Sequence, residues 1–213
     1  MPEIIDIYDA SLRHMGSMER EQAHLDGQWH RTFHCWIVNT ANRSVIFQVR
    51  SFDSKTHPGK LDISAAGHLA AGESVDDGIR EIGEELGLTV SMDDLISAGE
   101  RVEVSDKPNG PRNREYQSVF FLVTELALEE FSPDPKEVAG LASLPIDSGL
   151  DLFSGRTPSI SVSTVDVQPD GSLMSRMRTL TRDDFLPRIQ RYYATALIMA
   201  ERICDNKRDI AIS

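Results

Sequence analysis

Glu81, Glu84 and Glu85 stand together in the run Arg80-Glu81-Ile82-Gly83-Glu84-Glu85-Leu86-Gly87. On a helix, positions i, i+3 and i+4 share a face, so three carboxylates crowd one side of one turn. Like charges at this spacing destabilise a helix by roughly 0.2–0.5 kcal/mol per pair. No lysine lies three or four residues away to relieve them. A divalent cation would. Clustered hard oxygen ligands suit Mg²⁺ or Mn²⁺, ions that also bind substrate phosphates. Gly67 and Gly72 precede the run, where glycine lets the backbone approach a ligand closely. The Arg80 guanidinium can hold Glu73, from the preceding loop, with its planar fork. A Glu-Glu pair alone is ordinary solvated helix surface; the glycines, Glu73 and Arg80-Glu81 around it point to chemistry.

The arrangement closely resembles the Nudix box, G-x5-E-x7-R-E-U-x-E-E-x-G-U with U apolar. Arg80, Glu81, Ile82, Glu84, Glu85, Gly87 and Leu88 match every defined position of its second half. Gly67 and Glu73 match the first half at the proper spacing. Between Glu73 and Arg80 stand six residues where the pattern has seven, a shortening at the loop-to-helix junction. The resemblance implies an α+β fold, the mixed α/β/α sandwich of Nudix proteins. It implies that Glu81, Glu84 and Glu85 hold metal, Mg²⁺ or Mn²⁺, and that Glu84 or Glu85 activates the attacking water. Arg80 would orient the acidic cluster. The implied activity is hydrolysis of a phosphoanhydride in a nucleoside diphosphate linked to another moiety, such as a nucleotide sugar or ADP-ribose.

Upstream, Trp29-His30-Arg31-Thr32-Phe33-His34, Gln48-Val49-Arg50-Ser51 and Ser64-Ala65-Ala66-Gly67-His68 resemble the branch of Nudix proteins similar to isopentenyl-diphosphate isomerase. Those isomerases bind a metal through histidines and glutamates outside the box. His24, His30 and His68 fall at matching places, and Glu115 falls where a glutamate ligand would be. His34 is a further candidate in the same segment. The isomerase also needs a cysteine proton donor directly before the Gly-His pair. Ala66 stands there and cannot transfer a proton, so hydrolysis is favoured and isomerisation is the alternative. A second alternative is a non-catalytic nucleotide sensor, against which the complete set of box acids counts. Gly67, His68, Arg50, Arg112 and Arg114 are the candidate substrate-binding residues, the arginines as grips on phosphate.

The elements that must position these residues are legible in outline. Residues 1–213 read as a single domain with an N-terminal β extension over 1–30, the box over 67–88 and a long helix over 181–206. Ile4, Ile5, Ile7 and Tyr8 suggest a first strand, followed by a turn at Gly16. Residues 33–38 and 45–49 read as a hairpin, and 61–66 as a short extended segment. The box helix starts at Ser74 or Val75, buries Val75, Ile79, Ile82 and Leu86 at spacings of three and four, and stops at Gly87. Strands over 95–104 and 118–124 flank a polar loop at 105–113 carrying Pro108, Asn109, Gly110 and Pro111. Residues 137–146 give mixed signals, and 159–167 alternate as a strand. In the last helix, Thr181 and Asp184 make a capping-box-like start. Phe185, Ile189, Tyr192, Tyr193, Ala196, Leu197, Ala200 and Ile203 form its apolar face, which could also pack in a homodimer.

The net charge of −12 disfavours nucleic acid, whose phosphates need a basic face. A small anionic diphosphate substrate remains compatible if a bound cation supplies local positive charge. No apolar run approaches the roughly 18–20 residues that span a bilayer, and the acidic start MPEIIDIYDA is no secretory leader. Cys35 and Cys204 form no CxxC pair, which fits a reducing, cytoplasmic setting.

Overall fold

The computed structural model describes residues 2–106, 112–188 and 190–212. The centre of the molecule is a mixed sheet in the order β11-β10-β9-β4-β3-β8-β7, with β5 paired to β4 and β6 to β3. Its strands are β3 (His30–Asn39), β4 (Ser44–Arg50), β5 (Leu61–Asp62), β6 (Ala65–His68), β7 (Leu95–Asp106), β8 (Arg112–Thr124), β9 (Val138–Pro145), β10 (Ile160–Val167) and β11 (Leu173–Leu180). β1 (Ile4–Tyr8) and β2 (His14–Glu19) form a separate hairpin. The helices are α1 (Arg20–Asp26), α2 (Arg80–Leu86), α3 (Ile146–Ser154) and α4 (Tyr192–Cys204).

β3 is covered on both faces, which is why it reads as a nearly continuous apolar run. Trp36 and Val38 point into a core shared with Tyr192, Tyr193, Ala196, Leu197 and Ala200 of α4. Phe33, Cys35 and Ile37 point the other way, onto Ile82 and Leu86 of α2. These two cores put α3 and α4 on one side of the sheet and the box helix on the other, the α+β sandwich expected. Among the described residues no helix is long and apolar enough to cross a membrane.

The expected β3–β4 hairpin is present, with Ile37 opposite Ile46 and Val38 opposite Val45. Beyond it the two strands part. The outer half of β3 pairs with β6 instead, Thr32 opposite His68 and His34 opposite Ala66. β8 runs parallel to β3 on its other side, with His30 opposite Glu115. The splay between β4–β5 and β3–β6 is the crevice in which the box residues lie.

Several expectations need correction. The last helix starts at Tyr192, not Thr181. Thr181 and Asp184 do bond as a cap, through the Thr181 N–H and hydroxyl to Asp184 Oδ2 at 2.7 and 2.9 Å, but they cap a single 3₁₀ turn. Pro187 explains the break: it lacks an N–H and biases Leu186 away from helix. Phe185 and Leu186 instead run alongside β5, the Leu186 N–H bonding the Leu61 carbonyl at 2.8 Å. Ile189, assigned to the apolar face, and residues 107–111 of the polar loop lie outside the described residues. The box helix opens as a 3₁₀ turn over Asp76–Ile79 before becoming α-helical at Arg80. Gly16 lies within β2 rather than in a turn. The mixed stretch at 137–146 is β9 running into α3.

Candidate active site

Gly87 closes α2 in the left-handed conformation, at φ 70°, and its N–H bonds the Gly83 carbonyl. That stop fixes where the helix faces. Ile82 and Leu86 are sunk in the core, so Glu81 and Glu85 are drawn inward beside them, only 7% and 8% exposed. Glu84 points outward with about half its side chain exposed.

Each buried carboxylate has a prepared seat. Glu81 lies against Gly67 of β6, so close that a Cβ built there would stand 2.0 Å from Glu81 Oε1. Only glycine admits the carboxylate at that point. Glu85 Oε2 accepts the Ala66 N–H at 2.9 Å and the Gln48 amide at 3.1 Å, bridging β6 and β4 across the crevice.

Arg80 gathers the acids. Its Nε and Nη2 donate to the two oxygens of Glu73 at 3.0 and 3.2 Å, the planar fork suggested by the sequence. The six-residue spacing therefore still allows this pairing. Nη1 donates to Glu81 at 2.7 Å and Glu84 at 3.0 Å, and Nη2 also to the His68 carbonyl at 3.1 Å. Gly72 turns at φ 86° just before, and its N–H bonds Asp6 of the N-terminal hairpin at 2.8 Å. The β extension thus holds the loop that carries Glu73.

Burial pushes the Glu81 carboxyl up to about 7; Arg80 opposes this and Glu84 adds to it. Burial likewise carries Glu85 well above the usual range, against the pull of the Ala66 N–H. Glu137, in the loop before β9, is a fourth carboxylate that raises both. Buried acids held so reluctantly as anions are what a divalent cation relieves, and the donor set, all carboxylate oxygen, fits a hard ion.

Beside this group the structure brings together His24, His30 and His68, with one ligating atom from each within 4.8 Å of the others. His24 comes from the last turn of α1, a helix not foreseen from the sequence. His24 Nε2 and His68 Nε2 are 3.2 Å apart. Burial lowers the pKa of both, His68 most strongly, which favours the neutral ring that can ligate a cation. His30 Nδ1 bonds the Gln28 carbonyl at 3.0 Å, and its Nε2 is buried without a hydrogen-bond partner among the described residues. Glu115 Oε1 lies 3.8 Å from that Nε2. His34 is elsewhere: it is buried against the Tyr192 hydroxyl at 3.0 Å, and burial lowers its pKa to about 4.

Of the candidate arginines, Arg50 reaches Asp62 at 3.5 Å on the far side of the crevice. Arg112 packs its stem over Gly27, at the end of α1. Arg114 is on β8, opposite Val104 of β7 and partly buried. Gln48 and Glu137 were missed. Gln48 left a trace, as the one polar residue among Val45–Val49; Glu137 left none, since nothing local links it to the box.

The NUDIX domain family pattern matches residues 28–159. The chain belongs to the Nudix family. It is 31% identical over 199 residues to an uncharacterized Nudix hydrolase of Clostridium acetobutylicum, covering 92% of this chain and 95% of that one. It is also 31% identical over 147 residues to an isopentenyl-diphosphate Delta-isomerase of Saccharopolyspora erythraea, 68% of this chain and 70% of the relative. A crystal structure of a Deinococcus radiodurans protein superposes with a TM-score of 0.54 at 20% identity, over 72% of this chain and 90% of the other, a likeness of fold. As a Nudix hydrolase the chain is a pyrophosphohydrolase, of a family that generally uses divalent metal. The likeness to isomerases bears on one position, that before Gly67-His68. There, Ala66 of β6 stands opposite His34 of β3. Cys35 is fully buried in the core on the box-helix side, its thiol pushed up by burial, and Cys204 sits on α4.

Proposed function

We propose that this Nudix hydrolase uses Mg²⁺ or Mn²⁺ to cleave the phosphoanhydride of a nucleoside diphosphate joined to a further group, a nucleotide sugar or ADP-ribose being of this type. The observation that carries the reading is the Arg80-centred cluster: one guanidinium holds Glu73, Glu81 and Glu84 while Glu85 is seated separately on Ala66 and Gln48. A divalent ion held by these carboxylates would supply charge neutralisation at the phosphate oxygens and a lowered pKa for the attacking water.

The chain's own residues do the rest. Glu81, Glu84 and Glu85 would hold the ion. Arg80 is a positioning residue that keeps Glu81 and Glu84 in place. Both hydrogen bonds to Glu85 fall on Oε2, which leaves Oε1 to accept the proton of the attacking water. Glu84, the more exposed acid, is the other candidate base. Arg50, Arg112 and Arg114 supply cationic grips for the diphosphate, with Gly67 and His68 at the crevice. His24, His30, His68 and Glu115 fit a further cation site. The Gln28 carbonyl fixes the His30 proton on Nδ1 and leaves the buried Nε2 lone pair for an ion. Isomerisation is disfavoured because no thiol stands at Ala66 and Cys35 is fully buried in the core between β3 and the box helix.

The test is phosphate and nucleotide release from a panel of diphosphates with Mg²⁺, with Mn²⁺ and after chelation, beside Glu84→Gln and Glu85→Gln. Cleavage of one compound class, metal-dependent and lost in a variant, is expected. Metal binding without cleavage of any compound would favour a sensor.

A further inference from the structure

The turn before the box helix sets where Glu73 stands. It runs from Ala70 to Glu73, closed by the Glu73 N–H on the Ala70 carbonyl at 2.9 Å. Gly72 takes φ 86° in its third position, a conformation that glycine adopts without cost. A Cβ there would meet nothing within 4 Å, so conformation and not room demands the glycine. Glu73 itself binds one N–H of the turn, that of Ala70, through Oε2 at 2.7 Å. The N-terminal hairpin takes the next two. The Ala71 N–H donates to the Ile4 carbonyl at 2.9 Å, and the Gly72 N–H to Asp6 Oδ2 at 2.8 Å.

Alternation along β1 aims Asp6 away from the hairpin's own core. Ile5 and Ile7 are buried with Ala23 of α1 in a small cluster, so the side chain between them lies on the opposite face. The second carboxylate oxygen is tied down as well. Asp6 Oδ1 accepts the Ser17 hydroxyl at 2.6 Å and lies 3.1 Å from His14 Nε2. Both partners are on β2, Ser17 directly opposite Asp6. A carboxylate fixed at one oxygen by its own hairpin thus presents the other to the turn, in a charge-assisted bond about twice as strong as a neutral one. Glu73, the next residue, takes both arms of the Arg80 fork, and Arg80 holds Glu81 and Glu84. β1 and β2 precede residues 28–159, the extent of the family match, so this contact belongs to the extension and not to the Nudix domain.

We infer that Asp6 is a positioning residue for the reaction: it fixes the turn at Gly72 and thereby Glu73, Arg80 and the box carboxylates that Arg80 gathers. The inference rests on the hydrolase reading above. Asp6 touches no reacting atom. Its effect falls on kcat, through the placement of Glu81 and Glu84, and passes entirely through Glu73.

The experiment reads kinetics on a cleaved diphosphate together with the ¹⁵N-resolved Arg80 Nε–H signal, assigned by its loss in Arg80→Lys. Asp6→Ala is expected to lower kcat ~10-fold with KM little changed, less than the loss that a full 1 Å misplacement can bring. Asp6→Asn keeps an acceptor for the Gly72 N–H and should stay within about threefold of wild type. Glu3→Ala removes only the exposed ion pair to Arg20 in the same hairpin and should match wild type. In a Glu73→Ala background, Asp6→Ala should cost no more than about twofold, because the two residues act in series. The Arg80 signal should shift in Asp6→Ala and, by less, in Ser17→Ala, which frees the other Asp6 oxygen without removing the carboxylate; it should not shift in Glu3→Ala. The same ~10-fold loss with and without Glu73, or an Arg80 signal unmoved in Asp6→Ala and Ser17→Ala, would overturn the inference and leave the hydrolase reading standing. A wild type that cleaved no diphosphate would overturn the hydrolase reading; a shifted Arg80 signal would still support the placement of the box by Asp6.

Discussion

Replacing Gly67 with alanine tests the seat of Glu81 directly. The added Cβ would meet Glu81 Oε1, Cδ and Oε2 at 2.0, 2.1 and 2.5 Å, where ordinary contact begins at 3.4 Å. The carboxylate must therefore retreat by more than an ångström. It cannot do so freely, because Arg80 Nη1 holds Oε1 at 2.7 Å and the same guanidinium holds Glu73 and Glu84. A displacement of about 1 Å in a positioned group can cost roughly 100-fold in rate, and that is the loss expected in kcat/KM for Gly67→Ala, with weaker metal binding. Gly83→Ala is the matched control. Its Cβ would approach nothing closer than the Leu88 carbonyl at 3.5 Å. Removing a glycine from the helix should stabilise the protein by roughly 0.5–1 kcal/mol. Kinetics over a metal titration, with melting temperatures for both variants, checks the pair. Wild-type kcat/KM in Gly67→Ala would refute the argument that Glu81 must occupy this seat.

Arg80→Lys keeps the charge but loses the fork on Glu73 and the simultaneous bonds to Glu81 and Glu84; kcat should fall at least ~10-fold with a smaller change in KM, read from steady-state kinetics. Leu86→Ala empties a fully buried position under the box helix and should cost about 2–5 kcal/mol in denaturant unfolding. In metal-free protein the Glu81 pKa is raised from 4.5 to about 7. Its neutral form thus contributes stability that is complete below pH 4.5 and lost as the pH rises through 7. Melting curves after chelation should show this decline, and Glu81→Gln should flatten it. His30→Gln should remove one equivalent of bound Mn²⁺ while leaving the box ion in place, as counted by equilibrium dialysis.

The box was legible because its residues are local: a short helix of seven residues with a glycine stop dictates which carboxylates share a face. The hairpin and the apolar stripes of the box helix and of α4 were legible for the same reason, through their periods of two and 3.6. What the sequence hid depends on pairing at a distance. Glu137 comes near Glu85 only because β9 lies against β4, and Arg101 and Arg188 share Glu103 only because the chain before α4 folds back over β7. The start of the last helix has a local signal in Pro187, which competes with the Thr181–Asp184 cap; that cap forms but closes only a 3₁₀ turn. α1 escaped notice because seven residues with a single buried side chain, Ala23, show no apolar period.

The most direct test of the central claim is hydrolysis in ¹⁸O-labelled water, followed by mass spectrometry of the products from the best substrate, with isopentenyl diphosphate run alongside. The account predicts one ¹⁸O atom in one phosphorylated product, dependent on divalent metal and lost in Glu85→Gln. Double-bond migration in isopentenyl diphosphate without cleavage of any diphosphate would contradict it.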